Sequence, residues 1–475
     1  MKNWLVIHDA DLKGVYHSLP PACFRNERWF SDRDAKDSLV LVETLQFQRT
    51  GAGKIFFTLN LFDIGEGQGY YYYIPFLIFF GSPWFTREHM FEKDGYYFFD
   101  GIETYEYISL LEELWRGSQK AEDSGNQFQF LLYNNYLKNT KFHLHGSTSN
   151  SLLFVSNNYL IKNYRRIYPG VNPELKICSA LAKMGSDKIP ELYGSFQYLR
   201  DNEFTLGIVQ EVVANNGTCW DIWGDLLKEP GSDTILLKQA VSLGEVLADL
   251  HGDLASIAEA EGTCGPLDFA DIQTRIRAII QTLEDDLATH LKDDLTQALD
   301  GIRFLFSKLS GKNLGSKFLI HGDLHLEQVL ATSTGWKVLD FEGEPLKTIE
   351  EREQHDSPLK DLASIFRSVS YRIHLVFDNP DSQAQAESLL LTGLITGYTG
   401  ICHELKETRA RACYLPEEPE FELLLIFFQI ERAVYECIYE LKCRPDWFHI
   451  PFHGLTKLLN RLGEMAREND ALVGM

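Results

Sequence analysis

The segment FLIHGDLHLEQVLATSTGWKVLDFEGEP, from Phe318 to Pro345, decides how this chain reads. An apolar run carries the chain to Asp323 in a loop, and Gln328 lies five residues further on. Two short β-type runs around the turn Ser333-Thr334-Gly335 then form a tight hairpin whose end presents Asp340 and Glu342. One carboxylate to orient or deprotonate an attacking hydroxyl, followed by oxygen ligands that hold Mg²⁺ against phosphates, is the donor set that phosphoryl transfer requires. Taken singly these residues read as ordinary surface, HGD as a turn and Asp-x-Glu as a solvated strand end. Their conjunction at this spacing points to chemistry.

The character of the chain differs on the two sides of this segment. After Asn216 amphipathic segments dominate, among them Leu236 to Ile257, Ala270 to Ser307, Ser357 to Phe377 and Glu420 to Leu441, and these predict helices. From Ser38 to about Leu153 the chain carries short β-rich runs, LVLVETLQF, KIFFTLNLF, YYYIPFLIFF and GYYFFDG, separated by turns such as GAG and GEGQG. Tyr70 to Gly81 reads as one buried strand. A helix over Thr104 to Arg116 and the polar stretch SQKAEDSGNQ interrupt the series, and a boundary is expected near that stretch. SLLFVS and YLIKNYRRI flank Asn157-Asn158, a pair that tolerates positive φ and so predicts a hairpin. A helix is predicted from Pro173, because Asn172 can cap it and proline suits the first helical position. LYGSFQYL and FTLGIVQEVV follow as strands. The expected class is α+β: a β-rich N-terminal cap over 1–125, a β-sheet lobe over 126–215, and a mainly helical lobe over 216–475.

A chain of 475 residues exceeds what one core normally supports, so two or three domains are expected. Apolar residues at 44% and aromatics at 13% exclude a mainly disordered or fibrous chain. The net charge of -23 repels nucleic-acid phosphate and anionic lipid, so neither nucleic acid nor a membrane is an expected partner. Any nucleotide site must then supply its own lysine, N–H groups and metal ions. The apolar stretch in MKNWLVIHDADLKG is too short for a signal peptide and turns acidic at once. No apolar run approaches the roughly 20 residues needed to span a bilayer. Eight cysteines without a CxxC pair fit a reducing compartment, and the expected location is cytoplasmic.

The loop and hairpin resemble the catalytic and metal-binding loops of the aminoglycoside phosphotransferase and protein kinase-like superfamily, whose pattern is H-G-D-x-H-x-x-N followed by a strand and an Asp. The resemblance implies a bilobal kinase-like fold, ATP as co-substrate and Mg²⁺ as cofactor. It makes Asp323 the catalytic base with His321 beside it, and places Gln328 where the family carries its Asn ligand. Asp340 becomes the principal metal ligand and Glu342 a ligand for a second metal. The alternative for His321 and His325 is that they orient the loop through hydrogen bonds. Within the superfamily, HGDLHLEQVL and WKVLDFEGEP resemble the maltokinases, which phosphorylate maltose at its anomeric hydroxyl. NYRRIYPGVNPEL, QEVVANNGTCW and ECIYELKCRPDWFHIP agree with that family in the same order, so the similarity spans most of residues 145 to 455. Two places depart from it: Glu327 stands where a small residue is usual, and RWFSDRDAKD matches the cap signature only loosely.

By the same resemblance Lys162, at the end of YLIK, pairs with ATP phosphates and Glu174 positions it. GSTSNS, with Ser147 and Ser149, would form the phosphate-covering loop, while Gln210, Glu211 and Val213 would lie at a hinge against adenine. For the acceptor, Glu431, Tyr435 and Tyr439 recur every four residues and share a helical face, with Arg432, Glu436 and Glu440 on the neighbouring one. Flat aromatics and charged groups are what a sugar pocket wants, so Glu431, Arg432, Tyr435 and Tyr439 are the expected substrate contacts. Trp447 reads as packing. The expected reaction is phosphorylation of maltose to maltose 1-phosphate. The alternatives are glucosamine or another sugar on the same scaffold, and a catalytically silent module that binds trehalose synthase.

Overall fold

The computed structural model describes residues 4–32, 37–51, 55–65, 69–81, 88–116, 120–123, 126–132, 142–147, 150–155, 158–199, 202–344, 347–408 and 414–473. They form two compact units, Met1–Ser179 with Pro190–Val213, and Ala180–Ile189 with Ala214–Met475.

The first unit holds two antiparallel sheets. In the nine-stranded sheet the main path runs Trp4–Ile7, Leu39–Arg49, Ile55–Asp63, Phe76–Phe80, Tyr96–Asp100, Phe91–Lys93. Its central strand, IFFTLNLFD, is buried along nearly its whole length, because both faces are covered. Phe56 and Phe62 face a cluster with Leu12, Tyr16, Phe24, Trp29 and Phe30. Phe57, one residue out of phase, stacks on Tyr107 of the helix Tyr105–Arg116 at 5.8 Å. Each such phenylalanine contributes roughly 1.5–3 kcal/mol of burial. The single strand expected over Tyr70 to Gly81 is two, Tyr71–Tyr73 and Phe76–Phe80. Pro75 lies between them; it has no N–H to give the ladder, so the run breaks there.

In the seven-stranded sheet the order is Phe142–Ser147, Asn150–Val155, Tyr159–Tyr164, Glu203–Glu211, Leu192–Leu199, Asn126–Leu132, Lys120–Asp123. Asn158 closes the expected hairpin with an N–H to Val155 O at 3.3 Å, while Asn157 lies outside the described residues. The strand Arg166–Ile167 then leaves this sheet and pairs with Tyr71–Tyr73 of the other. Between the two, Arg165 is fully buried: it pairs with Asp100, donates to Ser151 Oγ at 2.8 Å and lies over the Trp29 ring at 4.5 Å. The helix Pro173–Met184 follows, with Asn172 Oδ1 accepting the Glu174 N–H at 2.8 Å as its first residues predict.

The second unit is mainly helical. Asp233–Ala260 and Pro380–Thr408 approach so closely that a Cβ at Gly244 or Gly397 would overlap the facing backbone at Leu394 or Val241. The helix expected over Ala270 to Ser307 is broken into Phe269–Asp285, Ala288–Leu291 and Leu295–Leu309. Acidic residues Glu284, Asp285 and Asp286 sit at the unfavourable C-terminal end of the first piece, and Lys292 adopts φ 50. The strands Val329–Thr332 and Gly335–Val338 form the expected hairpin, Val329 opposite Val338. No helix among the described residues is long and apolar enough to cross a membrane.

Candidate active site

The loop carrying Asp323 is fixed from beneath by one buried carboxylate. Asp361, on the helix Leu359–His374, is 0% exposed and accepts the N–H groups of His321 and Gly322, each at 2.9 Å. His251 Nε2 lies 3.4 Å from the same carboxylate, and its Nδ1 meets Tyr398 Oη at 2.8 Å. Burial by itself raises the Asp361 pKa; the His251 hydrogen bond, the electrostatic influence of the His251 and His321 rings and the Gly322 N–H outweigh it and hold the carboxyl below its ordinary range. Gly322 turns the loop at φ +83, a conformation that favours glycine.

The His321 ring is buried; Nδ1 accepts the Asp323 N–H at 3.3 Å, so Nε2 carries the proton and donates to Leu339 O at 2.8 Å. Both nitrogens are committed and Phe341 packs on the ring at 4.7 Å, the contacts expected of the loop-orienting alternative. Asp323 itself is partly exposed, with Oδ1 3.3 Å from Arg432 Nη2. Burial pushes the neighbouring His325 below its ordinary pKa, with Asp323 and Glu327 acting in the opposite direction.

Across the hairpin, Gln328 Nε2 donates to Asp340 Oδ2 at 2.9 Å, and the Leu339 N–H donates to Gln328 O at the same distance. Asp340 sits at φ 67, a strained backbone for a non-glycine residue that such sites tolerate. With the Gln328 amide nitrogen facing Asp340, its amide oxygen remains as a ligand atom. Asp340, Gln328 and the partly buried Glu342 thus offer an all-oxygen donor set suited to a hard cation such as Mg²⁺.

In the first unit, Lys162 Nζ lies 2.7 Å from Glu174 Oε2, and Tyr164 Oη donates to the same oxygen at 2.7 Å. Lysine and glutamate are 7% and 1% exposed, so the pair is held, not solvated. Gln210 is buried with Nε2 against Cys178 Sγ at 3.8 Å, and Glu211 N–H donates to Glu191 O at 2.8 Å. The unit ends at Val213. Ser147 ends the strand Phe142–Ser147, its side chain outside the described residues, and Ser149 lies outside them altogether.

Beside Asp323 opens a cavity of about 570 Å³. Arg432, Tyr435 and Tyr439 line it as expected; the two tyrosine rings stack at 6.4 Å. Glu431 does not. Each four-residue step turns a helix by about 40° beyond a full circle, so the stripe drifts. Glu431 falls on the side facing Phe269–Asp285, where Arg275 binds it through Nε at 2.5 Å and through a second nitrogen, and reaches Asp356 at 2.9 Å. Trp447, expected to be packing, lines the cavity with Arg444 at 4.8 Å over its ring. Sequence reasoning also missed Trp220, Glu344 and Arg444, which arrive from separate segments, and Asp361, whose only signal was an acid among the apolar residues of a helix. Five carboxylates, Asp323, Glu327, Glu344, Glu436 and Glu440, share the lining with two arginines. Arg432 is 3.4 Å from Glu436 and Arg444 is 2.7 Å from Glu440, while from outside the lining Lys347 meets Glu344 at 2.7 Å and Arg367 meets Glu436 at 3.0 Å.

No protein-family model matches the chain. A solved glucosamine kinase in complex with glucosamine, ADP and inorganic phosphate superposes with a TM-score of 0.67 at 18% identity, covering 96% of this chain and 100% of that one. This chain is an enzyme with the protein kinase-like fold. Two sequence relatives agree with the kinase-like assignment. The glucosamine kinase of Mycolicibacterium smegmatis is 24% identical over 326 residues, 66% of this chain and 78% of the relative. That of Streptacidiphilus jiangxiensis is 22% identical over 301 residues, 61% and 66% respectively.

Proposed function

We propose that the protein transfers the γ-phosphoryl group of ATP to a hydroxyl of an amino sugar of the glucosamine class. The observation that carries this reading is the cavity beside Asp323, whose lining holds five carboxylates and two arginines, with Lys347 on Glu344 and Arg367 on Glu436 from outside it. An ammonium group on the acceptor adds a cation for the lining carboxylates, Glu327 among them, which lies 3.9 Å from His325. The relatives, both glucosamine kinases, support the amino sugar over the maltose expected from the motif segments.

In this reading Asp323 accepts the proton of the attacking hydroxyl and aligns it, with Arg432 3.3 Å from its Oδ1. Lys162, kept in place by Glu174, binds nucleotide phosphate. Asp340, Gln328 and Glu342 hold Mg²⁺, which neutralises phosphate charge when bound. Tyr435, Tyr439 and Trp447 supply flat faces for the sugar ring.

The test is ADP release and product identification with Mg-ATP and a panel of glucosamine, glucose and maltose. One charge-assisted contact is worth about 1.5–3 kcal/mol, so kcat/KM for glucosamine is expected to exceed that for glucose by roughly 10- to 100-fold. Preference for maltose, with maltose 1-phosphate as product, would overturn the amino-sugar reading; absence of turnover with every sugar would overturn the reaction.

A further inference from the structure

Between Asp323 and the hairpin the chain makes a single 3-10 turn, Leu326–Gln328, in which three successive side chains point in three directions. Leu326 is buried, and its N–H donates to Ser368 Oγ at 3.1 Å. Gln328 turns to Asp340 and the metal ligands. Glu327 takes the remaining direction and lines the acceptor cavity together with Asp323, four residues before it.

The five carboxylates of that cavity differ in what balances them. Asp323 has Arg432 at 3.3 Å, and Glu344 has Lys347 at 2.7 Å. Glu436 lies between Arg367 at 3.0 Å and Arg432 at 3.4 Å, and Glu440 has Arg444 at 2.7 Å. Among the described residues the one ionic contact of Glu327 is His325 Nδ1 at 3.9 Å. Burial pushes that ring below its ordinary pKa, toward the uncharged form at neutral pH. The Glu327 side chain is 61% exposed, so its carboxylate is open to whatever enters. Such a carboxylate is commonplace on an open surface. Here it shares a cavity with the proposed catalytic base, and an incoming cation reaches it without competing with a lysine or arginine already in place.

We infer that Glu327 seats the ammonium group of the acceptor and sets the preference for an amino sugar over a neutral one. The assignment rests on the proposed reading of the acceptor site. It gives a role to the residue at which the motif departs from the maltokinase pattern, since a small side chain at that place offers a sugar no charge. One short loop, anchored through its backbone on Asp361, then holds both the reacting hydroxyl, on Asp323, and the amino group, on Glu327.

The experiment compares kcat/KM for glucosamine and glucose in the parent, in Glu327→Gln and in Glu327→Asp, with calorimetry of each sugar on the full chain without nucleotide. In Glu327→Gln the ratio of glucosamine to glucose is expected to fall roughly tenfold, the size of one charge-assisted contact, mainly through the acceptor KM. Calorimetry is expected to show the same loss of glucosamine affinity. Glu327→Asp keeps the charge and is expected to retain more of the ratio than Glu327→Gln. A Glu327→Gln protein that keeps the parent ratio overturns the assignment. Equal losses on both sugars overturn it as well, because they place the effect on the loop or on the adjoining Gln328. A parent protein without preference for glucosamine overturns instead the amino-sugar reading beneath it, so the two failures are told apart.

Discussion

Replacing Asp361 with Asn isolates what holds the catalytic loop in place. The carboxylate accepts two backbone N–H groups at 2.9 Å, one on each oxygen. An asparagine presents one oxygen and one NH₂, so one of the two N–H groups faces a donor. The lost charge-assisted hydrogen bond is worth about 1.5–3 kcal/mol and the orphaned buried N–H about 1–3 kcal/mol. If the loop stays in place the fold loses roughly 3–6 kcal/mol, a large share of a typical domain's stability. If it shifts to escape that cost, Asp323 moves with it, and a displacement of about 1 Å costs roughly 100-fold in rate. Urea unfolding and steady-state kinetics on the same preparation read both outcomes. A folded variant whose stability and kcat both stay within twofold-equivalent error of the parent would refute the anchoring role. The effect also depends on pH. The folded carboxyl is held below its ordinary value, so its contribution is complete above the unfolded value of about 4 and is lost as pH falls through the folded one. The stability gap between parent and variant is therefore expected to narrow in acid.

Asp323→Asn is expected to lower kcat by roughly 10²–10⁴-fold, the range of general base catalysis, with acceptor KM changed only a few-fold in an ADP-release assay. Lys162→Met strands a nearly fully buried glutamate and is expected to cost about 3–5 kcal/mol of stability on thermal or urea unfolding. Adding Glu174→Leu should restore stability without restoring ATP affinity, which separates the structural role of the pair from its nucleotide role. Gly224→Ala places a Cβ on the Arg372 guanidinium, which lies 5.1 Å above the Trp220 ring at the acceptor cavity. The expected result is a several-fold rise in acceptor KM with ATP KM unchanged.

What the sequence made legible follows from how far apart the cooperating residues lie. Asp323, Gln328 and Asp340 share one loop and hairpin, so local geometry brings Gln328 to Asp340, and spacing alone could be read. The helix start at Pro173 and the Asn158 turn are equally local. The break at Pro75 is local as well: its missing N–H divides an apolar run that by composition alone reads as one strand. The acceptor cavity is a different case. Trp220, Glu344, Arg432 and Trp447 come from four separate stretches, and which face of Glu420–Cys443 meets them depends on the helices packed around it. A helical wheel groups Glu431 with Tyr435; only the position of Arg275 shows that it belongs elsewhere. For the same reason the catalytic segment, read alone, speaks for the reaction and is silent on the sugar.

The short strand Arg166–Ile167, crossing from one sheet to the other, leaves no seam at which a gene fusion could be cut. A chimera that exchanged the first 125 residues for foreign sequence would remove Asp100 and Trp29, and with them the counter-ion and the aromatic face of a fully buried Arg165. That arginine sits three residues after Lys162 and before the helix that carries Glu174, so the damage would register first as lost nucleotide affinity. Modular as the strand count makes it look, the N-terminal sheet and the strand that carries Lys162 would have to be inherited together.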